Sequence, residues 1–180
     1  EDTKKETLRR KDLVIKSNIF YEKGSDKPFT GVSESFYQNK LQQRSNFLDG
    51  KHHGLDEFFV IETGLHLTKG YFKNGEEHGT HEFFHDNGKI KTRTYFKEGK
   101  KEGTEEHYDE NGLLEMKFEY KNDLRHGKSE IFYSTFNDLS PTDVGYGKLY
   151  SKGQYKEGRK IGIWEWYDEE GNVVRRDDEG

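Results

Sequence analysis

The sequence contains no cysteine, and only 29% of its residues are hydrophobic. Without cysteine, neither a disulfide framework nor a thiolate metal site can form. No apolar run approaches the ~20 residues that a membrane-spanning helix needs. The net charge of -5 provides no overall basic field that would draw the protein to nucleic acid or to an anionic membrane.

Aromatic residues are the apolar component that the sequence does have, at 14%. A chain with 36% charged residues would be expected to be disordered if aromatic residues were scarce, but here Phe and Tyr recur at regular positions. Such a composition favours a thin sheet with aromatic ribs over a thick two-layer core. Because the sequence opens on Glu1 rather than Met, we expect a processed or trimmed product, from which a signal peptide could have been removed.

The stretch HEFFH at residues 81–85 matches the zinc-protease pattern H-E-x-x-H. That pattern works on a helix, where two histidines at i and i+4 share one face and the glutamate activates a zinc-bound water. The secondary structure around these residues therefore decides whether the match has chemical meaning.

A repeat dominates the sequence. Related segments, for example FKNGEEHG (72–79), FKEGKKEG (96–103) and YKEGRKIG (155–162), end on glycines that we call the signature glycines. Adjacent signature glycines are 23 to 25 residues apart, except for a final step of 35: Gly31, Gly54, Gly79, Gly103, Gly127 and Gly162.

Three columns of residues keep their chemistry in every repeat. An acidic column lies three residues after each signature glycine: Glu34, Glu57, Glu82, Glu106, Glu130 and Glu165. An aromatic column lies five residues after it: Phe36, Phe59, Phe84, Tyr108, Phe132 and Tyr167. A basic column lies on the returning segment: Arg44, Lys69, Arg93, Lys117 and Lys152.

Turn chemistry predicts that each repeat is one β-hairpin. Asn87-Gly88 and Asn111-Gly112 are expected to form two-residue turns, whose central positions both need positive φ. That register sets Glu82 opposite Arg93 and Glu106 opposite Lys117, and opposite charges across an antiparallel pair contribute roughly 0.2–1 kcal/mol. The repeats containing 34–44 and 57–69 miss this register by one residue, which a three-residue loop or a β-bulge would absorb.

The same register argues against a zinc site in HEFFH. The equivalent stretches in other repeats, such as DEFFV (56–60) and EEHYD (105–109), keep the glutamate but not the histidines. Residues four apart on a strand are ~13 Å apart, whereas zinc holds each nitrogen at ~2.0–2.1 Å. The acidic, aromatic and basic columns are therefore predicted to be a structural ladder, with no catalytic and no metal-binding residues.

The pattern F/Y-x-x-G-K-x-x-G-x-x-E-x-[FY]-x-x-x-G resembles the MORN repeat family in its bacterial, YwqK-like antitoxin-component variant. FKEGKKEGTEEHYDENG (96–112) is the closest copy. The resemblance implies an all-β fold, an elongated single-layer antiparallel meander of β-hairpins. We expect a charged N-terminal lead or cap at residues 1–18, the array at 19–176 with an enlarged hairpin at 133–147, and an acidic tail at 177–180.

The resemblance implies a non-catalytic scaffold for protein–protein interaction, exported to the envelope or exterior of a bacterium, with a cytoplasmic location as the alternative. Peripheral binding to membrane phospholipid is the second function, for which Lys97, Lys100, Lys101 and Arg125 would supply a local basic edge. A zinc hydrolase acting through HEFFH is the third. No kinase motif accompanies the repeats, so a phosphatidylinositol-4-phosphate 5-kinase label would rest on repeat similarity alone.

Five residues outside the ladder are candidates for binding an unidentified protein partner. They lie in the enlarged hairpin and in the last full repeat: Phe136, Asp138, Asp143, Trp164 and Trp166. Insertions in repeat proteins map to loops, often on the binding face. The alternatives are a neutral surface loop for the insertion, and closure of the array end for the tryptophans. No cofactor and no nucleic-acid partner is expected, and a homodimer through sheet ends or faces is a further expectation.

Overall fold

The computed structural model describes residues 7–180, apart from the side chain of Phe136. The chain divides into two compact units, an N-terminal unit ending at Gly88 and a C-terminal unit starting at Lys89. Among the described residues, the regular structure consists of β-strands and two short 3-10 helices, and the strands in each unit follow one another as hairpins. The predicted all-β class and antiparallel hairpin meander are confirmed.

The N-terminal unit contains eight strands: β1 Thr7–Arg9, β2 Leu13–Lys16, β3 Ile19–Glu22, β4 Gly31–Tyr37, β5 Lys40–Leu48, β6 Lys51–Phe59, β7 His66–Lys73 and β8 Glu76–Phe84. Strands β4 to β8 pair antiparallel in sequence order, and β1 pairs parallel with β4. Strands β2 and β3 form a separate hairpin. The predicted boundary between residues 18 and 19 therefore falls inside a hairpin.

The apolar core of this unit lies beneath the β2–β3 hairpin. It contains Leu13, Phe20, Phe29 and Phe47, with Leu8 packed against it. The guanidinium of Arg10, in the 3-10 helix Arg10–Asp12, stacks on the ring of Phe20 at 4.2 Å. Residues 7–18 thus cover the start of the sheet, while residues 1–6 of the predicted lead lie outside the described part of the chain.

The C-terminal unit contains seven strands: β9 Ile90–Lys97, β10 Lys100–Tyr108, β11 Leu114–Lys121, β12 Leu124–Phe132, β13 Leu149–Lys156, β14 Arg159–Tyr167 and β15 Val173–Asp178. Each pairs antiparallel with the next. The insertion between β12 and β13 includes the 3-10 helix Thr135–Asn137. Asp177 and Asp178, predicted to begin an acidic tail, are instead paired with Trp164 and Ile163 in the last hairpin.

Two kinds of turn alternate along the chain. Two-residue turns with positive φ at both positions precede the signature glycines, for example Asn74-Gly75 (55° and 90°) and Glu98-Gly99 (52° and 75°). These are the turns whose twist matches a hairpin. The Asn-Gly prediction was wrong in type: Gly88 and Gly112 have positive φ, but Asn87 and Asn111 do not.

The wider turn at Asn111-Gly112 shows the physical reason. The backbone N–H of Gly112 donates to the carbonyl of Asp109 at 2.9 Å, and the N–H of Asp109 donates to the carbonyl of Leu113 at 2.9 Å. This is a longer loop with a left-handed glycine, which shifts the pairing by one residue. For the 34–44 and 57–69 repeats the sequence left a three-residue loop or a bulge open, and the structure has a bulge in both. The same shift follows His107 in the 106–117 repeat.

A second bulge explains the signature glycines from Gly54 onwards, all of which have positive φ, whereas Gly31 does not. Between Lys101 and Glu105, three residues of β10 face the single residue Tyr95 of β9. Gly103, in the middle of these three, has a φ of 80°, which residues with a side chain rarely adopt. The signature glycine thus bends the strand and brings the residues two before it and two after it onto the same face.

Candidate binding surfaces

The predicted ladder forms one face of the hairpins in the N-terminal unit. Glu34 pairs with Arg44 at 2.9 Å, and Arg44 also lies 3.9 Å from Glu57. His66 supplies a further partner, since its Nε2 lies 2.9 Å from Glu57 Oε1. Lys69 is directly opposite both Glu57 and Glu82 in the strand register.

The ladder continues in the same form in the C-terminal unit. Glu106 lies between Arg93 at 3.7 Å and Lys117 at 3.1 Å, and it accepts a hydrogen bond from Tyr108 at 2.8 Å. Burial would raise the pKa of Glu106, but hydrogen bonds from Tyr108 and Lys117 and the nearby cations outweigh it and lower the pKa. The aromatic column therefore acts partly through the phenol oxygen of its tyrosines.

Glu165 occupies the equivalent position in the last full repeat. Hydrogen bonds from Tyr167, Lys152 and Arg176 lower the pKa of Glu165 to about 2. Arg176 was not part of the predicted ladder, because no signature segment follows it. Glu130 remains in the strand register between Lys117 and Lys152.

The most buried positions of the repeats form a column that the sequence reading missed. We call it the inner column, and it lies two residues after each signature glycine: Ser33, Asp56, His81, Glu105, Ser129 and Trp164, each at most 9% exposed. It lies on the opposite side of the strands from the ladder. Its members include acids, a base, hydroxyls and an indole, so no chemical signature marks it.

Three inner-column residues, His81, Ser129 and Trp164, are matched in size by a neighbour on an adjacent strand. A β-carbon added to Gly70, opposite His81, would lie 2.5 Å from the imidazole, and one added to Gly153 would lie 2.2 Å from the indole of Trp164. The large Phe118 instead faces the small Ser129. At these three positions a small residue lies against a large one, and the strand that carries the large residue changes between repeats.

The inner column is also matched in charge to the residues four positions earlier. The bulge at the signature glycine brings His52 to within 3.0 Å of Asp56, and Glu77 to within 3.5 Å of His81. At Trp164 the partner is the Lys160 ammonium, 4.3 Å from the ring centroid. The inner-column residue is the acid in one repeat and the base in the next, but in both repeats it is paired with the residue four positions earlier.

Glu105 is the most strongly held carboxylate of this column. It accepts hydrogen bonds from Thr94 at 3.2 Å and Tyr120 at 3.2 Å, and it pairs with Lys101 and His107. Burial would raise the pKa of Glu105, but the hydrogen bonds from His107 and Lys101 and their charges lower it to about 2. A polar cluster of this kind favours one strand register, because the four partners of Glu105 meet it in only one alignment.

HEFFH lies on β8 and the turn after it, so it lacks the helical geometry of a zinc protease. His81 belongs to the inner column, and its Nε2 lies 2.7 Å from the carbonyl oxygen of Tyr71. His85 begins the turn in which the N–H of Gly88 donates to its carbonyl at 2.8 Å. Among the described residues, there is no group of three or more metal-ligating side chains that could hold an ion.

The two tryptophans differ in accessibility. Trp164 is 3% exposed, packed on Gly153 and covered by Lys160. Trp166 is half-buried, with the guanidinium of Arg175 4.6 Å above its ring. A partner approaching this face would therefore reach Trp166 and Arg175, whereas Trp164 serves packing.

The insertion at residues 133–147 is tied to the neighbouring turns. Ser134, fully buried, donates to Glu115 at 2.8 Å, and Tyr146 donates to Asp109. Burial would raise the pKa of Asp109, but hydrogen bonds from Tyr146, Leu113 and Asn111 lower it. The insertion is thus fixed at both ends.

The candidate residues in the insertion have different surroundings. Asp143 accepts hydrogen bonds from the backbone N–H of Ser140 at 2.6 Å and from its hydroxyl at 3.0 Å. Asp138 is exposed and has a φ of 61°. The side chain of Phe136 lies outside the described part of the structure.

Two of the four residues predicted to form a basic edge for membrane binding do not lie at the rim of the sheet. Lys101 pairs with Glu105, and the guanidinium of Arg125 stacks on Phe118 at 4.0 Å, so both face the inner column rather than the rim. Lys97 and Lys100 are exposed and directly opposite each other beside a turn. The expected four-residue edge is therefore wrong, because the bulge turns two of its members inward.

Aromatic side chains remain exposed in the N-terminal unit. Phe58 and Phe83 are 38% and 53% exposed, and both lie opposite Thr68 on the same face. Leu65 and Leu67, at the start of the same hairpin, are 40% and 49% exposed. The structure thus leaves a row that contains Phe58 and Phe83 uncovered by the unit's own residues.

These features define a class: a repeat protein built of β-hairpins, whose signature glycines form bulges and whose charges form ladders. The family model for the MORN repeat variant matches residues 77–98, 101–122 and 160–177. The chain therefore carries MORN-variant repeats, as its sequence predicts.

The comparison with curated proteins gives no significant match. Among solved structures, the chain resembles a mutant of S. aureus TarM in complex with fondaparinux, α-GlcNAc-glycerol and UDP, with 12% identity and a TM-score of 0.35. The match covers 64% of this chain and 21% of TarM. Among the described residues, no helix is long and apolar enough to cross a membrane.

Proposed function

We propose that the protein is a non-catalytic repeat scaffold that binds another protein. The observation that carries the proposal is the exposed row containing Phe58 and Phe83. Large aromatic side chains are costly to leave in water and are favoured at the centres of protein interfaces. The inner column is buried and the ladder pairs its charges across neighbouring strands, so both stabilise the repeats and leave this row as a surface for a partner.

The absence of catalysis is part of the same proposal. It is supported by the strand position of HEFFH and by the engagement of His81 with the backbone of β7. Incubation with zinc, followed by dialysis and metal analysis, tests it directly. Stoichiometric zinc, together with hydrolysis that Glu82→Gln abolishes, would overturn the proposal.

Affinity capture from the source organism tests the binding row. The Phe58→Ser/Phe83→Ser variant should lose a partner that the parent protein retains. Tyr37→Ser is the matched control, because Tyr37 is 56% exposed in the same unit and lies in β4, outside the row. Equal retention by the row variant and the parent would show that the partner binds elsewhere.

Two further expectations accompany the scaffold. Self-association is checked by light scattering of the purified chain, and a dimer that Phe58→Ser/Phe83→Ser dissociates would identify a second copy as the occupant of the row. Export to the envelope or exterior of a bacterium is a proposal that follows from the family resemblance. Fractionation of cells that express the natural protein tests it.

A further inference from the structure

Two neighbouring hairpin tips of the C-terminal unit enclose a groove. The tips join β11 to β12 and β13 to β14, and the groove between them has a volume of about 670 Å³. This lies within the range of ~300–1,000 Å³ that small-molecule sites occupy. Six side chains give the groove its character: Lys121, Leu124, His126, Lys156, Arg159 and Ile161.

The groove concentrates positive charge at one place. Lys156 and Arg159 are directly opposite each other in the β13–β14 register, and Lys121 lies on the facing tip. All three are exposed, and within the described part of the chain none of them forms a salt bridge. Like charges directly opposite each other on a sheet are destabilising, so an anion bound here would relieve a repulsion built into the hairpin.

Nearby carboxylates do little to neutralise this charge. Glu102 accepts a hydrogen bond from the backbone N–H of Asn122 at 3.0 Å, and Asp123 accepts one from that of Lys101 at 2.8 Å. Glu102 belongs to β10, and Asp123, although part of the β11–β12 tip, has its carboxylate on the backbone of the β9–β10 hairpin. Among the described residues that line the groove, Glu157 is the single carboxylate.

We propose that this groove binds the phosphate group of an organic phosphate. The guanidinium of Arg159 would donate two parallel hydrogen bonds to the phosphate oxygens. Lys121 and Lys156 would add point charges from the two tips. The apolar side chains of Leu124 and Ile161 would contact the organic part of the ligand. A patch of charged residues alone would offer no such contact.

The site is independent of the proposed protein-binding row, which lies in the other unit. The same phosphate chemistry is available from a soluble ligand and from a lipid headgroup. Three probes separate these sources: inorganic phosphate, phenyl phosphate, and phosphatidylcholine vesicles with and without phosphatidic acid.

The structure offers a matched control for the binding experiment. Lys156→Gln/Arg159→Gln removes the cationic pair of the groove. Lys97→Gln/Lys100→Gln removes the equivalent cationic pair, in which two lysines face each other across the β9–β10 hairpin. By calorimetry, phenyl phosphate should bind more tightly than inorganic phosphate. The groove variant should lose at least about tenfold in affinity, and the control less than about twofold. Each variant relieves a like-charge pair, so both should unfold at or above the parental temperature.

Each outcome of the binding experiment either supports or overturns the proposal. Binding of vesicles alone, lost in the groove variant, would support the site and identify a lipid headgroup as its source. Equal losses in the two variants would overturn the proposal in favour of diffuse surface charge. It would also be overturned if none of the three probes bound the parent.

Discussion

Gly153→Ala should destabilise the protein, although the change adds a single methyl group. The added β-carbon would lie 2.2 Å from Cδ2 of Trp164 and 2.3 Å from its Cε2, well inside van der Waals contact. The indole is 3% exposed and must move by roughly 1 Å to regain an ordinary contact distance. Overpacking of this kind costs about 1–3 kcal/mol.

Urea unfolding followed by tryptophan fluorescence measures this loss. The midpoint should fall with little change in slope, because the native fold is kept while its stability drops. Trp164→Ser should itself be destabilising, by about 3–5 kcal/mol, because it leaves a cavity over Gly153.

The decisive test is the double variant Gly153→Phe/Trp164→Ser, which copies the Phe118–Ser129 arrangement of another repeat. It should be more stable than Gly153→Phe alone and than Trp164→Ser alone, with a coupling of about 0.5–3 kcal/mol between the two sites. Far-ultraviolet circular dichroism verifies that each variant remains folded. Additive losses, or no effect of Gly153→Ala, would refute size matching across the inner column.

Three further predictions concern the charged groups. Glu106→Ala should lower the free energy of unfolding by about 1 kcal/mol, because it removes a member of the ladder. Urea unfolding would measure this loss, and a binding assay should show unchanged affinity for a partner. Glu105 has a folded-state pKa of about 2, so the stability from its ionised form is complete above about pH 4.5 and is lost as the pH falls towards 2. Glu105→Gln should therefore cost up to about 3 kcal/mol at pH 7, and this difference should shrink across that acid range. Tyr146→Phe should accelerate protease cleavage within residues 133–147 by releasing Asp109, and unchanged cleavage would contradict the anchoring role.

The ladder could be predicted because its chemistry stays the same in every repeat. Glu106 and Lys117 were placed opposite each other from turn arithmetic alone, and the structure pairs them at 3.1 Å. The turn itself was assigned incorrectly, because an Asn-Gly pair is compatible with both a two-residue turn and a longer one. Asp109 decides between them by accepting hydrogen bonds from the backbone N–H groups of Asn111 and Leu113, each at 2.8 Å.

The inner column could not be found by looking for a preserved residue type. Its members are related through their partners, as small opposite large and acid near base, so the signal lies in pairs of positions. Once the strand register is known, the pairs can be recognised in the sequence, for example Gly70 opposite His81 and Phe118 opposite Ser129. The strand register depends on the bulge at the signature glycine. The sequence shows the glycine, but it does not show how many residues the bulge contains.

The bulge also determines which charges remain available for function. By turning Lys101 and Arg125 towards the inner column, it removes them from the rim and satisfies them on Glu105 and on the ring of Phe118. The bulge does not change the orientation of the residues next to the two-residue turns, so Lys156 and Arg159 stay exposed and form no salt bridge within the described part of the chain. A repeat that neutralises its cations in this way has no structural need for a like-charged pair at the hairpin tip. Because Lys97 and Lys100 form a similar pair on the β9–β10 hairpin, the groove beside Lys156 and Arg159 is what distinguishes the proposed site. Loss of phosphate binding in Lys156→Gln/Arg159→Gln with no loss of thermal stability would separate a binding role from a stabilising one.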